Sequence, residues 1–564
     1  MELATHVVEG KVINSFSFWN TNHENIYTSH KIEVYKVFKG TLSTNEILLI
    51  TEGGTVGNDM EVASSLLSLS EGEVGIFICR PSKVMLPDGV YEKNTTPMEV
   101  VAGKQGFIKY DLNTLSATDI FNDYKNVFND VYKIVLDQTK VNYKIVKSVD
   151  FIRSDDEKIA NKNLNSLTIG SFSPLSVPAG TGDRLTISGS GFGNTRGTGK
   201  VGFKNADDGG KTISYSHPVQ YKSWTDNQIV VELPDSAGTG PIFVSNSSGF
   251  MDSSLTILTV PFSRSILFYD GEIKYPQLVD KEGSGGYVFQ MNQDFDANND
   301  AKTAFLNSLL TWRCATLVNW SMGATTFLNK NANDNINVVS FDTHDKLQEG
   351  VLGVCFSYYS ACNSDGKWYV SGYDVIFRDT TIWHYGPSGS INKQQYDLES
   401  VALHELGHGQ QLKHVIDKTD LMHYSLGRGV VKRTLNDNNL KGANTVLAMS
   451  TRQGACTYFP MQLLNSAICK DPDLAFFKFR LDVNPNPFIS LTNISYLLET
   501  EAHVTIDIYT ILGQRVVHLI DEMQSVGKHT YSLEAAQYVM KKGVYILKLE
   551  VDGNKYSQKL VSLQ

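Results

Sequence analysis

The sequence predicts a multidomain, β-rich chain in which one α+β segment interrupts a succession of small β domains. Three observations lead there. At 564 residues the chain is too long for one hydrophobic core, and typical domain sizes imply about three to five units. Short apolar runs broken by polar, glycine-containing turns recur towards both ends, as in small antiparallel domains. Helical spacing of apolar residues is concentrated between about residues 262 and 473.

Composition narrows the class. With 41% hydrophobic, 20% charged and 10% aromatic residues, the chain is an ordinary globular one, and no apolar run is long enough to span a bilayer. A formal net charge of -10 argues against a nucleic-acid surface, which needs a basic patch. The opening MELATHVVEGKV lacks the basic and apolar regions of a signal peptide. The six cysteines form no CxxC pair, which excludes a thiolate zinc site of the usual spacing. Cys355 with Cys362 and Cys456 with Cys469 are close enough in sequence to pair if the protein is exported; otherwise they are buried thiols.

Residues 1–150 read as short strands, among them HVVEGKVINSFSFW, IYTSHKIEVYKVFKG and VGIFICRPS. They predict a small antiparallel barrel or sandwich that ends in a more helical connector around Asp119 to Val149, with no sign of chemistry. Residues 165–261 are richer in glycine. Here IGSFSPLSVPAGTGDRLTISGSGFG and WTDNQIVVELP place glycines at tight turns just after an alternating strand. This stretch resembles the IPT/TIG immunoglobulin-like β-sandwich, which implies a spacer or adhesive module.

Residues 262–473 change character. Ala304, Leu306, Leu309, Leu310 and Cys314 recur near helical spacing, and strand-like runs follow at Asn337 to Phe341, Val351 to Tyr359 and Trp368 to Phe377. The alternation predicts an α+β domain. Next comes YDLESVALHELGHGQQLKHV, Tyr396 to Val415. Residues four apart share a helix face, so His404 and His408 can offer both imidazoles to one ion. Glu405 is turned to one side, towards a metal-bound water. Asp397 suits the N-cap and Glu399 the first turn. A catalytic zinc takes three protein ligands, and His414 supplies the third if the chain turns back after His408; otherwise it is a loop histidine.

The spacing HExxHxxxxxH resembles the metzincin metalloproteases, and DLESVALHELGH is similar to their matrixin branch. That pattern has glycine where this chain has Gln411. A strained backbone there costs a non-glycine residue on the order of 1 to 2 kcal/mol, tolerable beside zinc binding of about ten kcal/mol; Gly409 is another place to bend. In DLMHYS, Met422 followed by Tyr424 resembles the methionine turn of astacins and serralysins. The resemblance implies a zinc endopeptidase with ligands His404, His408 and His414, Glu405 as general base, Met422 beneath the metal and Tyr424 donating to the oxyanion. It also implies a substrate strand pairing with a sheet edge, for which YDVIFRDTTIWHY is the candidate. The cysteine latch of many matrixins has no matching context at Cys79, which reads as strand interior.

Weaker signals remain. Asp294, Asp296, Asn298 and Asp300 alternate like calcium ligands but lack the glycine and glutamate of an EF-hand loop; a helix cap before Ala301 explains them better. His384 and His423 lack ligand spacing, and His344 reads as a surface residue. Residues 480–564, opening LDVNPNPF and closing GVYILKLEVDGNKYSQKLV, resemble the C-terminal sorting β-sandwich of type IX secretion. That implies export to the cell surface or medium and the secretion machinery as a partner, while the metzincin resemblance implies proteins or peptides as substrates. The rival expectation is a surface binding protein with an inactive metzincin-like domain, favoured only by Gln411.

Overall fold

A computed structural model of the chain describes residues 1–563 apart from 65, 88–95, 113–114, 120, 150–166, 282, 344–346, 467–468, 470–480, 499–500 and 526. His344 lies outside the described residues. The strand His6–Trp19 pairs antiparallel with Ile26–Lys39 on one side and with Val74–Pro81 on the other. Glu46–Glu52 and Met98–Val100 complete the circuit, so these strands close on themselves as a barrel. Alternation explains the closure: Val8, Val12, Ile32, Val34, Leu49, Phe77 and Cys79 fill one core. The neighbouring Val7, Phe38, Ile76 and Ile78 point the other way, under the helix Tyr132–Thr139. Cys79 is thus barrel interior, as its context predicts.

Two four-stranded antiparallel sheets follow. Leu185, Ile187, Ile229 and Val231 from one face Val201, Phe203, Ile242 and Val244 from the other, an immunoglobulin-like sandwich. Near the C-terminus a three-stranded and a four-stranded sheet enclose Ile494, Val504, Ile506, Leu533, Leu547 and Leu549.

Between the sandwiches lies a seven-stranded sheet in the order Trp320–Met322, Tyr287–Met291, Asn337–Phe341, Trp368–Phe377, Gly353–Ala361, Asp59–Ala63 and Gly54–Val56. The first three pairings are parallel and the last three antiparallel. Its last two strands come from the N-terminal 150 residues, a borrowing that no local pattern announces. The helix Asn299–Thr316 buries Ala301, Ala304, Phe305, Ser308, Leu309 and Trp312 along one stripe, the helical period made visible. Its Trp312 indole donates to the Leu403 carbonyl at 2.8 Å, which locks it to the helix Leu398–Gly409.

The cysteine expectation is corrected. Cys314 bonds Cys469 and Cys362 bonds Cys456, while Cys79 and Cys355 are buried free thiols. Cys355 and Cys362 lie near opposite ends of one extended strand, rising about 3.3 Å per residue, beyond disulfide reach. Calcium is not supported either. Asn298 caps the long helix through the Ala301 N–H, and Asp296 pairs with Lys302.

Glu61, on the borrowed strand, accepts from the Ile26 N–H at 2.7 Å, and burial pushes its carboxyl up from 4.5 to about 8. The folded protein therefore keeps this proton up to about pH 8, whereas the unfolded chain releases it near 4.5. The stabilisation from this group is complete below the lower value and is lost as pH rises through the upper one. Replacing Glu61 by Gln is expected to flatten that loss, so that thermal midpoints of variant and parent converge at pH 5 and separate by a few degrees, about 2 to 4 °C per kcal/mol, in the variant's favour at pH 8. Parallel midpoints across that range would contradict this account. Asp374, also pushed up to about 8, leaves a residual slope in both proteins.

Candidate metal centre

The helix Leu398–Gly409 starts on Asp397, whose carboxylate accepts from the Ser400 N–H at 3.0 Å and hydroxyl at 2.6 Å. Arg433 holds the same carboxylate from outside at 2.8 Å and 2.5 Å. The predicted N-cap is therefore present and charge-paired. Leu398, Ala402, Leu403 and Leu406 anchor the helix in the core. Gly407 faces Met422, and a Cβ on it would fall 2.4 Å from the methionine sulfur. Met422 is thus the floor on which the helix rests.

The helix ends in a Schellman turn. The Leu412 N–H donates to the Gly407 carbonyl at 3.0 Å and the Gln411 N–H to that of His408 at 2.8 Å, the bonding pattern whose left-handed position usually holds glycine. Gln411 occupies it at φ 64°. Its side-chain oxygen accepts from the Tyr359 hydroxyl at 3.0 Å, and its carbonyl from the Ser265 N–H at 2.8 Å. The strain of the left-handed conformation, on the order of 1 to 2 kcal/mol, is offset by these fixed, buried hydrogen bonds, each contributing about 1 kcal/mol. The bend falls at Gln411, not at Gly409.

This turn brings the three histidines together. Their ligand atoms all lie within 4.8 Å of one another. The Nδ1 of His404 meets the Leu421 carbonyl at 2.8 Å, that of His408 the Leu412 carbonyl at 2.9 Å, and that of His414 the Asp207 carboxylate at 2.7 Å. Carbonyls and an ionised carboxylate only accept, so each Nδ1 is the donor and each Nε2 presents a lone pair. The Nε2 atoms of His404 and His408 face one another at 3.1 Å, and that of His414 is buried with no partner among the described residues. Two lone pairs in contact and an orphaned third are unfavourable without a cation between them. Three neutral imidazoles are the donor set of a catalytic zinc. Burial keeps them neutral: it depresses His404 to about 3, His408 well below its usual value and His414 in the same direction. Burial opposes ionisation of Asp207, but Lys413, His414 and Lys104 outweigh it and hold its carboxyl well below the usual carboxylate range.

Glu405 lies beside His404 in a cleft of about 370 Å³ that Lys104, Gln105, Gly353 and Tyr424 also line. Its Oε2 accepts from the Ser64 hydroxyl at 2.8 Å and the Cys355 N–H at 2.9 Å, and burial raises its carboxyl to about 7. Tyr424 packs on His423 with ring centroids 4.7 Å apart, and Gly209 of the immunoglobulin-like domain touches its ring edge. His384 bonds to the Pro387 carbonyl and His423 to that of Ser425, both outside the triad.

The expected substrate edge is corrected. Trp368–Phe377 is an interior strand, paired with Asn337–Phe341 and Gly353–Ala361. Gly353–Ala361 lies next outward, and its far side carries Asp59–Ala63. Sequence reasoning missed Lys104 and Gln105, which line the cleft, and Asp207 and Ser64, which bond His414 and Glu405; all come from other domains and carry no motif.

Comparison with known families agrees with this layout. The Matrixin family pattern matches residues 287–447, the IPT/TIG domain residues 167–259 and the secretion system C-terminal sorting domain residues 482–563. No curated protein matches significantly. Among solved structures, dimeric latent PorU from Porphyromonas gingivalis aligns over 75% of this chain at 10% identity. The alignment spans about 35% of that protein's length, and its TM-score of 0.16 carries no argument.

Gln411→Ala is expected to cost about 1 to 3 kcal/mol, because it keeps the strain and removes the acceptor of the buried Tyr359 hydroxyl. Gln411→Gly trades that hydrogen bond for relief of strain and is expected within about 1 kcal/mol of the parent. Denaturant unfolding of both variants checks the order, and a glycine variant less stable than the alanine one would refute the strain argument. Residues 287–447 thus match Matrixin, a metallopeptidase family that implies zinc, between a match to the IPT/TIG domain and a match to the C-terminal sorting domain that indicates export by type IX secretion to the cell surface or extracellular space.

Proposed function

We propose that the protein is an exported zinc-dependent endopeptidase that hydrolyses peptide bonds in the cleft above His404, His408 and His414. The observation that carries this reading is the convergence of three Nε2 lone pairs whose tautomers are each fixed by an Nδ1 acceptor. Zinc held there supplies an acidified water and polarises a carbonyl. Glu405 is the general base. A carboxyl raised to about 7 can take a proton near neutral pH and return it to the leaving amine. Tyr424 is the donor to the developing oxyanion, a role supported by its position on the cleft wall. Met422 packs beneath the helix and keeps the first two ligands in register. The accommodation of Gln411 in its turn removes the feature that favoured an inactive binding protein.

The test is cleavage of unfolded casein by the purified chain beside Glu405→Gln, with zinc determined on both. The parent is expected to cleave and to lose activity to a chelator. The variant should hold zinc and lose about 10²- to 10⁴-fold in rate, the usual worth of a general base. Cleavage by both proteins alike would remove Glu405 from the mechanism, and absence of zinc from both would overturn the reading.

A further inference from the structure

Two of the three imidazoles are oriented by carbonyls of their own domain, Leu421 and Leu412. The third is not. His414, only 4% exposed at its side chain, donates from Nδ1 to Asp207 at 2.7 Å, and Asp207 belongs to the immunoglobulin-like domain. We propose that this domain is a working part of the metal centre, with Asp207 the positioning residue that aims His414 Nε2 at the ion. The proposal rests on the zinc reading above.

The loop that presents Asp207 is stiff. Its N–H donates to the Asn205 side chain at 3.0 Å. The adjacent Asp208 accepts from the N–H groups of Gly210, Lys211 and Thr212 at 3.1, 2.8 and 3.1 Å. Asn205 in turn donates to the Thr212 hydroxyl at 2.9 Å. A carboxylate on such a platform loses little freedom when it holds a ring.

The loop is also fixed relative to the cleft. Arg264 N–H donates to the Ala179 carbonyl at 3.1 Å, and Lys413 N–H to the Ser263 carbonyl at 2.9 Å. The Ser263 hydroxyl donates to the Asp235 carbonyl at 2.5 Å. Ile416, two residues beyond His414, packs against Gly210 and Gly238. The segment that carries the third ligand is therefore held on one side by Ser263, itself tied to Asp235 of the sandwich, and on the other by Gly210 and Gly238 of the sandwich.

A carboxylate partner fixes the ring tautomer and raises the basicity of the ligating nitrogen, and loss of such a partner typically costs about 10- to 100-fold in metal affinity. An interdomain staple with no bearing on the metal would look similar in the structure but would behave differently. The experiment uses the full chain, stripped of metal and titrated with zinc against a chromophoric chelator. Asp207→Ala, Asp207→Asn and Ile416→Ala are compared with the parent. Asp207→Ala is expected to weaken zinc about 10- to 100-fold and to alter the visible absorption of the cobalt-loaded site. Asn, a neutral acceptor at the same place, should fall between Ala and the parent and serves alone if Ala does not fold. Ile416→Ala, which loosens the interface without touching the ring, should lower the unfolding midpoint and weaken zinc far less than Asp207→Ala. Parent-like zinc binding in the Asp207 variants, or equal weakening by Ile416→Ala, would overturn the proposal while the zinc reading stands. A parent that takes up no zinc would bring down both.

Discussion

The left-handed turn at Gln411 governs the path of the chain beyond the motif helix. It places the Leu412 carbonyl under His408, lays Lys413 against Ser263, and delivers His414 beside His404 and His408. An ordinary helical continuation would carry His414 up the axis and around it, away from the first two rings. The backbone conformation of one residue thus decides whether the helix ends in a cluster of three histidines or in a run of polar residues. Its strain is held by hydrogen bonds from Tyr359 and Ser265, which belong to the central sheet and to the start of the segment that bears the histidines.

Burial sets the electrostatics of the centre. Imidazoles withdrawn from water stay neutral and are ready to ligate, while the same withdrawal lifts Glu405 into the range where it can exchange a proton. Ser64 and the Cys355 N–H accompany Glu405, so its carboxylate is oriented as well as desolvated. Three parts of the chain meet here: the barrel lends Ser64 and Lys104, the immunoglobulin-like sandwich lends Asp207, and the segment between residues 287 and 447 lends the three histidines.

Much of the local structure was legible in the sequence because its causes are local. The Asp397 cap, the stripe through Ala304 and Leu309, the alternation that closes the barrel and the spacing of the three histidines all follow from neighbours within a few turns or strands. What stayed hidden depends on distant partners. Asp207 lies 207 positions from His414 and Ser64 lies 341 from Glu405, so no periodicity relates them. The cysteine pairing failed for the same reason: proximity in sequence is a poor guide when one partner lies along an extended strand. The interior place of Trp368–Phe377 is likewise a property of the whole sheet, settled by the strand on either side of it.

The hairpin Gly54–Val56 and Asp59–Ala63 belongs by sequence to the barrel and by hydrogen bonding to the central sheet. A boundary drawn at the end of the barrel is therefore a boundary in sequence only. A chain cut there would release the flank of Gly353–Ala361 and uncover the main-chain groups from Phe356 to Ser360. Such an aromatic, unprotected border recruits strands from other molecules. The segment that bears the histidines is accordingly a fragment rather than a module, and its solubility is tied to a piece of chain synthesised some three hundred residues earlier.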